Sequence, residues 1–188
     1  MIPPVDAKLP FEEFSKAQAK EYFEWHISQI DHRIWILDQY IREEGRKIAF
    51  DYTPESLVSL WEWYEEHIVV ENRTKKEYRQ EVLSRPEWMK EYISTTKISL
   101  MKTMKFGADV AIYFAEVFRN NSGGKISWGY YTKPKSMASV NRPVLLGFKA
   151  GMDMDPQRII YNCTLESAES REKTRLLDIY NVWQKYIV

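Results

Sequence analysis

Between residues 106 and 118 ten of thirteen side chains are apolar, and Asn120-Asn121-Ser122-Gly123-Gly124 follows soon after as a stop and turn. A helix that is apolar on nearly every face has to be enclosed on most sides. The run therefore predicts the last half of a helix over residues 95–119 that forms the centre of the fold. The first half of that helix reads as amphipathic, with Ile98 and Met101 set apart from Lys102 and Lys105.

Other elements arrange themselves around this one. Residues 15–44 read as a long helix, opened by Ser15 and Gln18 at capping-box spacing and closed by Gly45. Phe23, Ile27, Ile30, Ile34, Leu37 and Ile41 recur at alternating steps of four and three, a heptad seam that lies along one partner helix. The partner belongs either to the same chain or to a second copy, so a homodimer through this helix is one expectation. After a short extended piece at 48–52, Thr53-Pro54-Glu55 predicts an N-cap and a first turn, with Leu57, Trp61, Tyr64 and Ile68 on the inward face. The charged stretch 70–93 predicts two short helices, the second capped by Ser84 and Glu87. Residues 126–132 and 144–148 read as an antiparallel hairpin with a long loop. Asp155-Pro156 suggests a helix start, although Ile159-Ile160-Tyr161 also suits a strand. A last helix is predicted over 169–187, with Leu176, Tyr180, Trp183 and Ile187 on one face. The sum is a helix-rich α+β single domain over residues 1–188, with a central buried helix, a small antiparallel sheet and an extended lead-in at 1–10.

One cysteine, Cys163, allows neither an internal disulfide nor a zinc site of its own. The start Met1-Ile2-Pro3-Pro4-Val5-Asp6 lacks the pattern of a secretory signal. These features, with the absence of a long apolar run, predict a cytoplasmic protein away from membranes.

The 27 basic and 27 acidic residues cancel, which disfavours a dedicated nucleic-acid binder. They are not evenly spread: residues 1–69 hold 7 Lys/Arg against 14 Asp/Glu, and residues 70–150 hold 15 against 7. Residues 117–152 contain no acid. There Arg119, Lys125, Lys133, Lys135, Arg142 and Lys149 are interleaved with Trp128, Tyr130, Tyr131 and Phe148. Two readings follow. Either this segment is a basic face for anions or nucleic acid, or its rings turn into the core while its cations face the acidic first third.

Motifs for nucleotide loops, nucleophile elbows and zinc helices are missing. His26, His32 and His67 read as surface or interface residues. Glu62, Glu65 and Glu66 beside His67 read as a solvated face, and no metal, cofactor or catalytic residue is expected. Glu116 is different, because a carboxylate in an apolar helix is costly unless paired. It either accepts from the Gly123-Gly124 turn or pairs with a cation such as Lys125, with Asp109 near the surface. Alternatively it lines a ligand pocket with Tyr113, Trp128 and Tyr130.

Ala111-x-Tyr113-x-x-Glu116-Val117-x-Arg119, followed by Gly123-Gly124 and Trp128, resembles an element of small uncharacterised bacterial α+β proteins, some of them immunity-protein-like. The resemblance covers about residues 95–150 and implies a cytoplasmic protein that acts by binding. The first expectation is thus a non-catalytic protein-binding module, immunity-like or regulatory. The alternatives are a small-molecule binder or enzyme around Glu116, and a weak anion binder through Arg119, Lys125, Lys133, Lys135 and Arg142.

Overall fold

A computed structural model describes residues 3–6, 9–99, 103–167 and 170–188, and the chain is α+β. Helix α1 (Lys16–Glu43) opens on the predicted capping box: Ser15 Oγ accepts from the Gln18 N–H, and Gln18 Oε1 accepts from the Ser15 N–H. Its buried residues are Ala19, His26, Ile30, Ile34, Leu37 and Ile41. The seam holds from Ile30 onward and fails before it, because Phe23 is only half-buried and Ile27 is 37% exposed. Toward the N-terminus the buried line of α1 runs instead through His26 and Ala19. The seam is used within the chain, against the apolar helix at 107–121 described below.

Helix α2 (Ser56–Glu66) starts later than predicted. Thr53-Pro54-Glu55 forms a turn in which Thr53 O accepts from the Ser56 N–H at 3.2 Å, while the Thr53 side chain is held by Asp51 instead of capping. Leu57, Trp61 and Tyr64 are fully buried, and Trp63 joins them.

An excursion follows. Strand β1 (Val70–Asn72) pairs antiparallel with β2 (Thr96–Ile98), Glu71 opposite Lys97. Between them lie α3 (Lys75–Ser84), capped by Thr74 and Glu77 and with no buried residue, and a 3-10 turn at Glu87–Tyr92. Two expectations are corrected here. Pro86 drives Arg85 to φ −105°, ψ 149°, so Ser84 stays with the preceding helix and donates to Glu81 O instead of capping the next turn. And the helix predicted from residue 95 is absent over 96–98: the β-branched Thr95, Thr96 and Ile98 suit a strand, and residues 70–72 offer the edge to pair with. Met101 and Lys102 lie outside the described residues.

Helix α4 (Gly107–Asn121) is the predicted centre, with every residue from Asp109 to Phe118 buried. Gly123 and Gly124, at φ 61° and 82°, turn the chain out of it, as glycine does without steric cost. Strand β3 (Ser127–Gly129) then pairs antiparallel with β4 (Val144–Leu146), Trp128 opposite Leu145. Helix α5 (Pro156–Ser167) resolves the helix-or-strand question at 157–163 in favour of helix; Asp155 Oδ1 accepts from the Arg158 N–H at 3.1 Å, and Ile160 and Cys163 face inward. Helix α6 (Arg175–Gln184) begins later than predicted, and residues 168–169 lie outside the described part.

Helices α1, α2, α5 and α6 enclose α4. The lead-in is also anchored. Val5, Phe14 and Ala19 form a smaller core with Tyr22 and Tyr130 against it. Among the described residues no helix is long and apolar enough to cross a membrane.

Candidate ligand cleft

The carboxylate of Glu116 accepts from Arg119 Nη1 at 2.9 and 2.8 Å and from the Trp128 indole N–H at 2.7 Å. It is not held by the glycine turn or by Lys125; in that turn Ser122 O accepts from the Lys125 backbone N–H and Ser122 Oγ from the Ile126 N–H. Glu116 and Trp128 therefore meet. Tyr113 is fully buried on another side, its hydroxyl 2.7 Å from Ser56 Oγ and accepting from the Tyr52 N–H. Tyr130 packs on Phe23, with ring centroids 4.8 Å apart. The four predicted ligand residues do not gather around one cavity.

The cations of the acid-free segment are dispersed too. Lys135 Nζ donates to Glu12 O and Phe14 O, which ties down the N-terminal piece. Arg142 lies over the Phe11 ring at 4.5 Å and 3.7 Å from Asp155. Lys149 Nζ donates to Lys185 O, and Arg119 holds Glu116. Lys125 and Lys133 are exposed. What these cations meet of the first third is mainly backbone carbonyl rather than acidic side chain.

Two acidic expectations need correction. Asp109 is 2% exposed rather than near the surface; Arg33 donates to it through Nε at 2.5 Å and Nη2 at 2.7 Å. Burial pushes the Asp109 carboxyl up despite this partner. Glu65 is buried and accepts from Ser167 Oγ at 2.7 Å. Its neighbours pair outward, Glu62 with Lys173 and Glu66 with Arg46. Among the described residues no group of three or more His, Cys, Asp or Glu is placed to hold a metal.

The third correction to the sequence reading of functional groups concerns His26, which is 5% exposed. It sits where α1 crosses the first turns of α4, its ring edge-on to Trp128 at 5.0 Å. With Tyr22, Trp25, Gln29 and Arg33 of α1, Ala108 and Ile112 of α4, and Gln157 of α5, it lines a cleft of about 240 Å³. The small side chain of Ala108, opposite the aromatic residues of α1, leaves the space.

Two polar atoms of these lining residues, His26 Nε2 and Gln29 Oε1, are sealed from water and have no hydrogen-bond partner among the described residues. An unpartnered buried group costs about 1–3 kcal/mol. Burial also pushes the His26 imidazole down to about 4, so it is neutral near pH 7. Local bonding fixes the orientation of Gln29. The Ser28 hydroxyl spends its one proton on Trp25 O at 2.7 Å, so it can only accept from Gln29 Nε2 at 2.9 Å. The amide oxygen of Gln29 is thereby left as the spare acceptor. At the cleft wall Arg33 is neutralised by Asp109.

Through Gln157 and Tyr22 the cleft adjoins a more open groove of about 530 Å³, lined by Arg142, Asp155, Arg158 and Asn162. Neither space contains an activated nucleophile. The Cys163 thiol is buried and pushed up to about 12, and among the described residues no carboxylate meets His26 Nε2.

Sequence reasoning missed His26 and Gln29. A signal did exist: stepping back by fours from Ile34 gives Ile30, His26 and Tyr22, a polar break in an otherwise apolar stripe. No family model, curated protein or solved structure matches the chain.

Proposed function

We propose that the chain is a non-catalytic binding protein whose ligand is a small organic molecule held in the α1–α4 cleft. The observation that carries this reading is the unpartnered pair, His26 Nε2 and Gln29 Oε1, in the lining of a 240 Å³ cleft. Buried polar groups are hydrogen-bonded as a rule; of the five exceptions among the described residues, these two lie three residues apart on one helix and both belong to the lining of this cleft. The surroundings fit, since ligand pockets combine apolar and aromatic walls with a few convergent polar groups.

The test is a screen of small neutral and charged aromatic fragments by ¹H–¹⁵N NMR. At least one fragment should shift the Gln29 side-chain amide and the Trp25 indole N–H, with a midpoint below about 1 mM, a binding free energy of about −4 kcal/mol. If no fragment moves these signals, the reading fails.

A protein partner is the second reading, in the immunity-like sense that the resemblance at 95–150 implies. What favours it is Trp35, 56% exposed and stacked on His32 at 5.7 Å, with Ile27 on the same helix also exposed. Exposed tryptophan is a common anchor of interfaces. A photo-crosslinking residue at position 35 should trap one defined protein in cells. A product with the mass of two chains assigns the homodimer instead, and no position-35-dependent product removes this reading.

A further inference from the structure

We infer that the cleft selects an uncharged, planar heteroaromatic molecule that carries an amide-like edge, meaning a hydrogen-bond donor beside a second polar atom. The inference rests on the small-molecule reading above and specifies its ligand class.

Three features of the lining narrow the chemistry. Gln29 presents an acceptor and not a donor, because the Ser28 hydroxyl, committed to Trp25 O, holds the amide nitrogen. A ligand therefore brings an N–H or O–H to that oxygen. His26, three residues earlier on the same helix, offers its Nε2 as either donor or acceptor according to tautomer, so the adjacent ligand atom can be of either kind. A donor and a neighbouring polar atom on one rigid edge describe a carboxamide, a lactam or the edge of a purine or pyrimidine base.

The walls set shape and charge. Tyr22 and Trp25 on one side and Ala108 and Ile112 on the other leave room for a ring system. A volume of about 240 Å³ suits a bicyclic base and is below the usual range for drug-sized ligands. Among the described residues the one cation in the lining, Arg33, already holds Asp109 through two bonds, so the ligand has no counter-charge to supply. Both polar atoms, His26 Nε2 and Gln29 Oε1, are covered in the structure, so binding requires the half-buried Gln29 side chain to swing on its aliphatic stem while its amide nitrogen stays on Ser28 Oγ.

The experiment compares adenine and nicotinamide with indene, a bicyclic hydrocarbon without polar edge, on the full chain. Binding is read by calorimetry and by the ¹⁵N shift of His26 Nε2. Adenine or nicotinamide should bind and move the Nε2 resonance, and Gln29→Met should weaken that binding by at least about tenfold. The Ser28→Ala variant changes an exposed residue, frees the amide to turn over, and should weaken binding by a smaller factor; circular dichroism checks that both variants are folded. If indene binds as well as the bases and Gln29→Met is neutral, the ligand class is wrong while the small-molecule reading stands. If all three probes and the fragment screen leave the cleft untouched, both readings fall.

Discussion

Acid should weaken the fold through His26 in a defined window. Burial holds this imidazole at about 4 against an ordinary 6.5. Between those values the unfolded chain takes up a proton that the folded chain refuses. The sign follows from linkage: above about 6.5 both states are neutral and the contribution is flat, it is lost as the pH falls toward 4, and it levels off below. At 1.36 kcal/mol per pH unit the whole window is worth about 3 kcal/mol, and about 2.5 kcal/mol of that is gone by pH 4.5. The assay is urea denaturation of the wild type and of His26→Leu at half-unit steps from pH 7.5 to 4. Carboxylates titrate in both proteins, so the difference between the two curves isolates the histidine. Wild type should lose about 2.5 kcal/mol relative to the variant between pH 7 and 4.5. Parallel curves would refute the reasoning, because they would mean that His26 takes a proton in the folded state as easily as in the unfolded one.

Four further outcomes test the architecture. Glu116→Ala leaves the Trp128 indole N–H without its 2.7 Å acceptor and should cost about 2–3 kcal/mol in chemical denaturation, while Glu116→Gln keeps an acceptor and should cost about 1 kcal/mol or less. Gly147 has φ 113° and lies where an added Cβ would come within 2.0 Å of Lys125 O; Gly147→Ala should therefore destabilise by more than about 3 kcal/mol, seen as a large fall in Tm. Leu37→Ala should cost about 2–5 kcal/mol and Ile27→Ala under about 0.5 kcal/mol, and an equal cost at both sites would restore the heptad seam that the fold abandons before Ile30. Cys163, fully packed with its thiol pushed up to about 12, should react with a thiol reagent only at the rate of global opening, measured against guanidinium concentration.

The parts of the fold legible in the sequence are those that composition alone decides. Ten apolar residues in thirteen can only be enclosed, so α4 was readable without knowing its neighbours. The Gly123-Gly124 turn and the hairpin after it are local signals of the same kind, whereas Asp155-Pro156 offered a helix start that Ile159-Ile160-Tyr161 left open to a strand. Strand β2 was not legible, because its partner at 70–72 lies in a charged stretch more than twenty residues earlier and neither strand is longer than three residues. Nor was the bonding of Glu116, since it depends on Trp128 arriving from the far side of a turn. The cleft was hidden for a related reason: it exists where the buried line of α1 passes onto His26 opposite Ala108, a meeting of two helices that no single segment encodes. The orientation of Gln29, set by Ser28 and Trp25 within a single turn, was not read from the sequence either.

Because β1 and β2 zip together at the foot of the excursion, both ends of the stretch from 73 to 95 leave the body at the same spot. Doubling a connection whose ends already touch costs only about 0.6 kcal/mol in closure entropy. The chain can accordingly lose α3, or gain a whole reporter domain in its place, with the packing around α4 left as it is. A fluorescent protein grafted between Asn72 and Thr96 would have its attachment decided by three facing residue pairs rather than by the core.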